Sequence, residues 1–356
     1  MNAAGTTAIP GDGRYAAPDW IQSPLFDLTF LILSPLAGLA LMFAAPVAGP
    51  GLTLAAAALV GGPHYLASYS FYFWDDTAQY HRRRWVAYFI IPVLIAGFVG
   101  LVVLFRVPVV IVVLIYFWNA YHVSRQSCGI LSIYRHRAGV FDSRQKSVNN
   151  AAIITTNLAM ALAHTDWYPS LHRFLSIPSP SFPLVLSQVV MVAAAISLVR
   201  LAVSMFYRYR GGNAPRPAEL SFLVSSLLLF HPYLWVRDAD LATLGMLLGH
   251  FIQYLGIVWL LNSRKLATGQ GSSAQRRLSR LWRDPKVLLP AFLIAGLVFL
   301  VLQLQAMAIS ITLVLLHFYL DGLFWAFNRP EVRNSMGPYL SGGGAGPGIG
   351  RRPLNP

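Results

Sequence analysis

Long apolar segments follow one another along most of the chain, separated by short polar stretches. The run over 107–117, for example, contains no charged or strongly polar residue. A helix needs about 17–25 predominantly apolar residues to cross the hydrocarbon core of a bilayer. A membrane β-barrel would instead alternate apolar and polar positions in segments of about ten residues. The pattern therefore predicts an all-α fold, a polytopic bundle of membrane-spanning helices.

The apolar windows define about ten spans, at 25–45, 53–74, 86–105, 109–133, 149–165, 183–206, 219–235, 241–262, 287–303 and 306–327. They form one transmembrane domain over 25–328, which follows a cytoplasmic segment over 1–24. A cytoplasmic linker over 263–286 separates spans eight and nine, and residues 329–356 form a Gly- and Pro-rich cytoplasmic tail.

Composition supports the membrane assignment. Apolar residues make up 56% of the chain and charged residues only 11%, whereas soluble domains use about 25% charged residues. With the N-terminus inside, 22 of the 27 Lys and Arg residues fall on the cytoplasmic side and three on the other side. This split follows the positive-inside rule. It predicts that both ends are cytoplasmic, in the cell inner membrane, and it explains the net charge of +14 without nucleic-acid binding.

Four of the nine histidines lie deep inside predicted spans. His64, His122, His250 and His317 belong to spans two, four, eight and ten, which all run in the same direction. Each lies 10–12 residues from the predicted cytoplasmic end of its span. At about 1.5 Å of rise per residue, the four imidazoles fall within roughly one helical turn of a common plane.

Each of these histidines is followed, one helical turn later, by a polar residue. These residues are Ser68 after His64, Arg125 and Gln126 after His122, Gln253 after His250, and Asp321 after His317. Positions three or four residues apart share one face of a helix. Polar side chains in a membrane normally face the bundle interior and mark a functional site. The four helices are therefore predicted to enclose one polar chamber.

Metal binding is the chemistry that best explains several imidazoles on converging helices. Neutral imidazole binds iron, zinc, copper and nickel. We expect the four histidines to be the ligands and Asp321 to be a fifth ligand or an orienting group. Ser68, Gln126 and Gln253 are predicted to hydrogen-bond around the ligands, and Arg125 to stabilise charge during catalysis. Iron as Fe2+, in a mononuclear or dinuclear site, is the expected metal.

Three other interpretations of the histidines stay open. Two of them can be axial ligands of a b-type haem in an electron carrier, with Gly129 and Gly249 making room for the ring. The histidines and Asp321 can form a proton relay in a transporter. They can also be no more than hydrogen-bond partners between helices.

The remaining titratable and aromatic groups receive simpler interpretations. Asp27 and Glu219 are predicted to stabilise helix N-termini in the first turn. Five histidines are expected to be surface or interface groups: His81, His136, His164, His172 and His231. Deep tyrosines near the histidines, including Tyr65, Tyr69, Tyr72 and Tyr254, either line an elongated apolar channel or serve packing alone.

Three short motifs resemble a known family. Pro63-His64, His122 in the fourth span and the sequence His-Phe-Tyr-Leu-Asp over 317–321 are similar to motifs of the Brp/Blh family of bacterial membrane β-carotene dioxygenases. The resemblance covers about a fifth of the chain. It implies an iron held by histidines and a reaction with oxygen. The chain departs from that family in lacking a histidine pair on one helix, and in having Ser68 and Gln126 where acids are expected.

The sequence therefore predicts a membrane-embedded iron oxygenase, a dioxygenase or related oxidoreductase. Its partners would be the lipid bilayer, a hydrophobic lipid or isoprenoid substrate, and an electron donor.

Overall fold

The computed structural model describes residues 19–106, 108–140, 142–164, 181–267, 281–282 and 284–340. Within these ranges the chain is almost entirely helical and contains no β-strand. The prediction of an all-α fold is confirmed. The helices are α1 (Pro24–Ile32), α2 (Pro35–Ala48), α3 (50–73), α4 (Asp75–Arg83), α5 (Val86–Leu104), α6 (Pro108–Arg137), α7 (Ser143–Ala163), α8 (Ser181–Arg210), α9 (Pro217–Leu228), α10 (Ala239–Ala267), α11 (Pro285–Gln305), α12 (Met307–Phe324) and α13 (Pro330–Leu340).

Every predicted window overlaps a helix, but fewer helices are both long and apolar enough to span a membrane. Among the described residues, α5, α8, α10, α11 and α12 are each long and apolar enough to cross a membrane. Helices α1 and α2 meet at a bend of 52°, and together they form a sixth span if the bent pair is taken as one broken helix. The chain thus has the helices of a multi-pass membrane protein, and the count of ten stays a prediction.

Wide helical turns precede several prolines. The π-helical turns Asp27–Ile32, Ala57–Gly61 and Val86–Ile90 are followed within three residues by Pro35, Pro63 and Pro92. A proline ring clashes with the carbonyl one turn earlier and donates no hydrogen bond. A widened turn provides room for the ring, and such turns are frequent at functional sites. In α3, His64 directly follows the proline that the wide turn accommodates.

Helix α10 lies at the centre of the bundle. In its most apolar window 72% of the residues are buried, compared with 17% in α5 and 11% in α8 and α11. The outer helices expose many Leu, Val and Phe side chains, as expected for surfaces that face lipid. The polar side chains of α10 are therefore enclosed by other helices.

Glycines allow two close helix contacts next to the histidines. A Cβ atom placed on Gly38 of α2 would lie only 2.0 Å from the carbonyl oxygen of Gly245 in α10. A Cβ on Gly62 of α3 would lie 2.9 Å from a backbone oxygen of α11, at Ala295. Small residues let membrane helices approach at backbone distance. These contacts fix the positions of α3 and α10, which carry His64 and His250.

The start of the predicted cytoplasmic tail is helical. Within it, α13 packs on the bundle because basic side chains bind its C-terminal carbonyls. Arg137 donates to Leu340 O at 3.3 Å, and Arg264 donates to Tyr339 O at 2.6 Å. Helix α10 also continues to Ala267, into the predicted linker. Residues 1–18 and 341–356 of the two terminal segments, and 268–280 and 283 of the linker, lie outside the described residues.

Two acids predicted only to stabilise helix ends are buried in tertiary contacts. Asp27 accepts hydrogen bonds from Ile21 N at 2.6 Å and from the Tyr134 hydroxyl at 2.7 Å. Glu219 forms an ion pair with Arg208 at 2.7 Å. A buried charge requires a partner of this kind. Both acids lie in the first turn of their helices, as predicted, and these buried partners are additional to that position.

Candidate metal centre

Four helices each contribute one histidine to a single cluster. His64 of α3, His122 of α6, His250 of α10 and His317 of α12 are all buried, and one nitrogen from each lies within 4.8 Å of the others. The ring centroids of His64 and His317 are 4.4 Å apart, and those of His122 and His250 are 5.2 Å apart. The structure thus brings together the four histidines that the sequence places at one depth.

Six of the eight ring nitrogens of this cluster lack hydrogen-bond partners among the described residues. Both ring nitrogens of His64 and His250, and Nε2 of His122 and His317, are buried without one. Buried polar atoms in proteins almost always have a partner, and each one without costs about 1–3 kcal/mol. With six such atoms in one small volume, the cluster is a group that could hold a metal ion.

The spacing of the nitrogens fits an ion with little rearrangement. Imidazole nitrogens bind first-row metals at about 2.0–2.1 Å, so two of them on one ion are roughly 3–4 Å apart. The observed upper limit of 4.8 Å exceeds this by less than about 1 Å. Small rotations of the side chains are enough to close the cluster around a metal.

Asp321 lies at the edge of the cluster with one carboxylate oxygen facing it. Its Oδ2 is 3.7 Å from Nε2 of His317 and 3.9 Å from Nε2 of His122. Asp321 comes one turn after His317 on α12, so both side chains share one face of that helix. The carboxylate is placed either to bind a metal directly or to neutralise its charge.

Two hydroxyl groups hold the other oxygen of Asp321. Ser68 of α3 donates to Oδ1 at 2.8 Å, and Tyr254 of α10 donates to Oδ1 at 2.7 Å. We call Ser68 and Tyr254 the hydroxyl pair. Because both donate to Oδ1, Oδ2 is left to face the histidines. Tyr254 was recognised in the sequence only as a nearby aromatic residue.

The hydroxyl pair also defines which nitrogen of His317 can bind a metal. The Ser68 oxygen is 2.8 Å from Nδ1 of His317. A serine hydroxyl has a single proton, so when Ser68 donates it to Asp321 it can only accept from the histidine. His317 then carries its proton on Nδ1, and the lone pair of Nε2 faces the cluster. Fixing the tautomer in this way is the usual role of groups behind metal-binding histidines.

Ser68 therefore serves a different histidine from the one expected. It was paired with His64, one turn earlier on the same helix. Ser68 is the first residue of the 3₁₀ segment Ser68–Phe73 of α3, and its hydroxyl reaches across to α12.

Three other predicted site residues make no contact with the imidazoles. Gln126 donates to the backbone oxygen of His250 at 3.3 Å, and Gln253 donates to Leu31 O at 2.8 Å. Arg125 is exposed on the surface of α6. The glutamines connect helices close to the cluster, whereas Arg125 lies outside it. The positions of these three side chains relative to the imidazoles could not be predicted from residue spacing alone.

The other histidines lie apart from the cluster, but not all are at the surface. His81 and His164 are buried, and Nε2 of His164 is 3.0 Å from Val236 O. They were predicted to be surface or interface groups; both are buried, and neither belongs to the cluster. His136 is exposed, the ring of His231 contacts the backbone of α9, and His172 lies outside the described residues.

Comparison of the chain with protein-family models, with curated proteins and with solved structures returned no match. The chemistry assigned to the centre rests on its own residues.

We expect Tyr254→Phe to weaken metal binding and any metal-dependent activity by about 10–100-fold, the usual range for groups that orient ligands. The change removes one of the two donors to Asp321 and leaves the ring in place. Tyr134→Phe is a matched control, because it also removes a buried hydroxyl that donates to a carboxylate, at 2.7 Å from Asp27. Metal titrations of both variants should separate them, and equal metal affinities would show that Tyr254 has no role at the centre.

Proposed function

We propose that this protein is a membrane-embedded oxidoreductase in which four histidines hold iron that activates oxygen for reaction with a hydrophobic lipid. The observation that carries the proposal is the buried cluster of His64, His122, His250 and His317 with the Asp321 carboxylate beside it. Imidazole and carboxylate together form the donor set of non-haem iron centres.

The donor set favours a redox-active metal over a structural zinc ion. Zinc sites in proteins are almost always four-coordinate and have no redox chemistry. Here a carboxylate lies 3.7–3.9 Å from two of the four imidazoles, so a fifth donor is within reach. A bound iron would supply the binding and activation of O2, chemistry that side chains alone do not provide.

The protein's own residues hold the ligands, orient them and exclude water. His64, His250 and His317 are 0% exposed, and the hydroxyl pair fixes Asp321 and the tautomer of His317. Burial of this kind prevents side reactions of oxygen species with water. A substrate must enter from the bilayer, because the outer helices expose apolar surface to it.

Two oxygenation reactions agree with these residues. When O2 cleaves a carbon–carbon double bond, each carbon receives one oxygen atom and two carbonyl groups form, so no further reductant is needed. When one oxygen atom is inserted into a C–H bond, the second leaves as water, and an external donor must supply two electrons and two protons. Dioxygenase chemistry is therefore the simpler assignment, and an electron donor is a partner only for the second reaction.

The geometry favours an ion over haem. A porphyrin would have to fit between two histidines, but the remaining two already occupy the neighbouring space. Gly249, which was expected to make room for a ring, faces backbone atoms of Pro35 at 3.1 Å. A proton relay for transport needs continuous access from both sides, whereas the three most buried imidazoles are fully enclosed.

The proposal is tested by oxygen uptake. Purified protein in nanodiscs, loaded with Fe2+, should consume O2 with a conjugated isoprenoid and release two carbonyl products per O2. Zinc-loaded protein is the control and should be inactive. Turnover without any metal would refute an oxygenase of this type, and ion flux in metal-free liposomes would support the transporter.

We also propose the full topology of ten spans with both ends in the cytoplasm of the inner membrane, supported by the distribution of basic residues. Reporter fusions after Arg84, Lys146 and Arg283 should be cytoplasmic, and fusions near Asp166 and Asp238 external. Opposite results at two or more sites would contradict this topology.

A further inference from the structure

Helix α8 carries one charged residue inside an otherwise uncharged run. Arg200 is the only charged residue over 184–207, within the segment Leu184–Arg210 that is long and apolar enough to cross a membrane. It is exposed rather than buried in the bundle. A charged group in a membrane helix normally faces the bundle interior and pairs with another group. Arg200 departs from this rule, so its partner must be sought on the outer surface.

The chain supplies no counter-charge for Arg200. Helices α7 and α8 contain no Asp or Glu, and Arg200 makes no hydrogen bond or ion pair with a described residue. The N-cap of α7, Asp142, accepts from the backbone nitrogen of Arg144 at 2.8 Å. The two helices carry four further basic residues: Arg144, Lys146, Arg208 and Arg210. The counter-charge for Arg200 must therefore come from another molecule.

Arg200 lines a small notch between α7 and α8 together with two serines. The other walls are Ser147, Val148 and Ala151 of α7 and Ser197 of α8, and the notch has a volume of about 30 Å³. One water-sized group needs roughly 10–15 Å³ of such space, so the notch admits one or two oxygen atoms. Ser147 is exposed and Ser197 is half-buried, and each hydroxyl has a proton to donate. An arginine and two hydroxyls are donors that fit the oxygens of a phosphate.

The notch lies near the depth of lipid headgroups. The residues over 184–199 contain no charge, and at 1.5 Å per residue they rise about 24 Å. The hydrocarbon core is about 30 Å thick. With one boundary of the core at Leu184, the Cα atom of Arg200 lies only about 6 Å inside the other boundary. A long arginine side chain reaches such a boundary while its stem stays in the apolar phase.

An apolar stripe runs from Arg200 toward the middle of the membrane. Ile196, Val192 and Val189 precede Arg200 at spacings of three or four residues, so they share its face of α8. They are 56%, 59% and 60% exposed. An acyl chain that lies along this stripe would have its polar end at the notch.

We infer that the notch and the stripe bind one anionic phospholipid, with the phosphate on Arg200, Ser147 and Ser197. Free phosphate would leave the stripe uncovered. A zwitterionic headgroup would bring its own cation toward the basic residues at the same ends of α7 and α8, whereas an anionic headgroup is attracted by them. In the proposed topology this lipid belongs to the cytoplasmic leaflet. The inference goes beyond the proposed function, because neither the metal nor its reaction takes part.

Titration of delipidated protein with single lipids tests the inference. Native mass spectrometry in a neutral detergent gives the affinities for phosphatidylglycerol and for phosphatidylethanolamine with the same acyl chains. The wild type should prefer phosphatidylglycerol. Arg200→Gln removes charge-assisted hydrogen bonds to the phosphate, so its affinity for phosphatidylglycerol should fall by about 10- to 100-fold.

Arg210→Gln is the matched control. Arg210 is an exposed arginine of the same helix that lies outside the notch, with its guanidinium over the Phe206 ring at 5.2 Å. Loss of its general attraction to an anionic lipid should cost no more than about 5-fold. Arg200→Gln and Arg210→Gln should keep equal, weak binding of phosphatidylethanolamine, which shows that both variants are folded.

Three results would overturn the inference. Equal affinities of the two variants for phosphatidylglycerol would remove Arg200 from any lipid site. Displacement of the lipid by excess inorganic phosphate would assign the notch to free phosphate. A lipid-free dimer that Arg200→Gln dissociates would assign Arg200 to a second copy of the chain. Because the experiment needs no metal, each of these results leaves the oxygenase proposal untouched.

Discussion

Replacing His317 with alanine should leave the purified protein without stoichiometric metal. The change removes one of four ligands, and it also removes the imidazole that Ser68 and Asp321 orient. The apolar surfaces of α12 are unchanged, so the helices should still insert and pack. Elemental analysis of protein purified without chelators measures the effect, and His122→Ala should give the same result.

His81→Ala is the matched control for these variants. His81 is a buried histidine whose ring packs on Tyr88 with centroids 4.4 Å apart, but it does not belong to the cluster. Its loss should reduce stability at most, with normal metal content. If His317→Ala and His81→Ala keep equal amounts of metal, the four histidines serve packing and hydrogen bonding only.

Asp321→Asn should reduce activity by at least about 100-fold, the upper end of the range for groups that only support the ligands. The amide has the same volume, and its oxygen can still accept from Ser68 and Tyr254. It lacks the negative charge that faces Nε2 of His317 and His122. The rate of oxygen uptake by the iron-loaded variant measures this loss.

Asp27→Asn controls for the loss of a buried carboxylate. Asp27 is 0% exposed and accepts from the Tyr134 hydroxyl, much as Asp321 accepts from Tyr254. It lies outside the cluster, so its replacement should affect stability but not the activity of the folded fraction. Normal activity in Asp321→Asn would exclude the carboxylate from the chemistry.

The four histidines could be predicted because depth in a membrane is readable from sequence. Apolar windows give the position of each residue along the membrane normal, and polar groups at mid-membrane must face the interior. This reasoning predicts that α10 is mostly buried and that the other histidines converge on His250. The same reasoning gives no information on rotation about the helix axis, so Arg125 was placed inside although it is exposed.

Contacts between helices could not be predicted from spacing along one helix. Ser68 was assigned to His64 since both lie on α3, but its hydroxyl contacts His317 and Asp321 on α12. Tyr254 follows His250 by four residues, yet its hydroxyl binds a carboxylate on α12. Asp27 and Glu219 were interpreted from the first helical turn, whereas tertiary partners determine their environment.

The central claim is that the buried histidines hold a metal. Its most direct test is elemental analysis of the wild-type protein, purified under mild and chelator-free conditions, combined with X-ray absorption spectroscopy at the edge of the metal found. We predict iron in stoichiometric amount, with nitrogen and oxygen donors at about 2.0–2.2 Å. Fully active protein without stoichiometric metal would contradict the account.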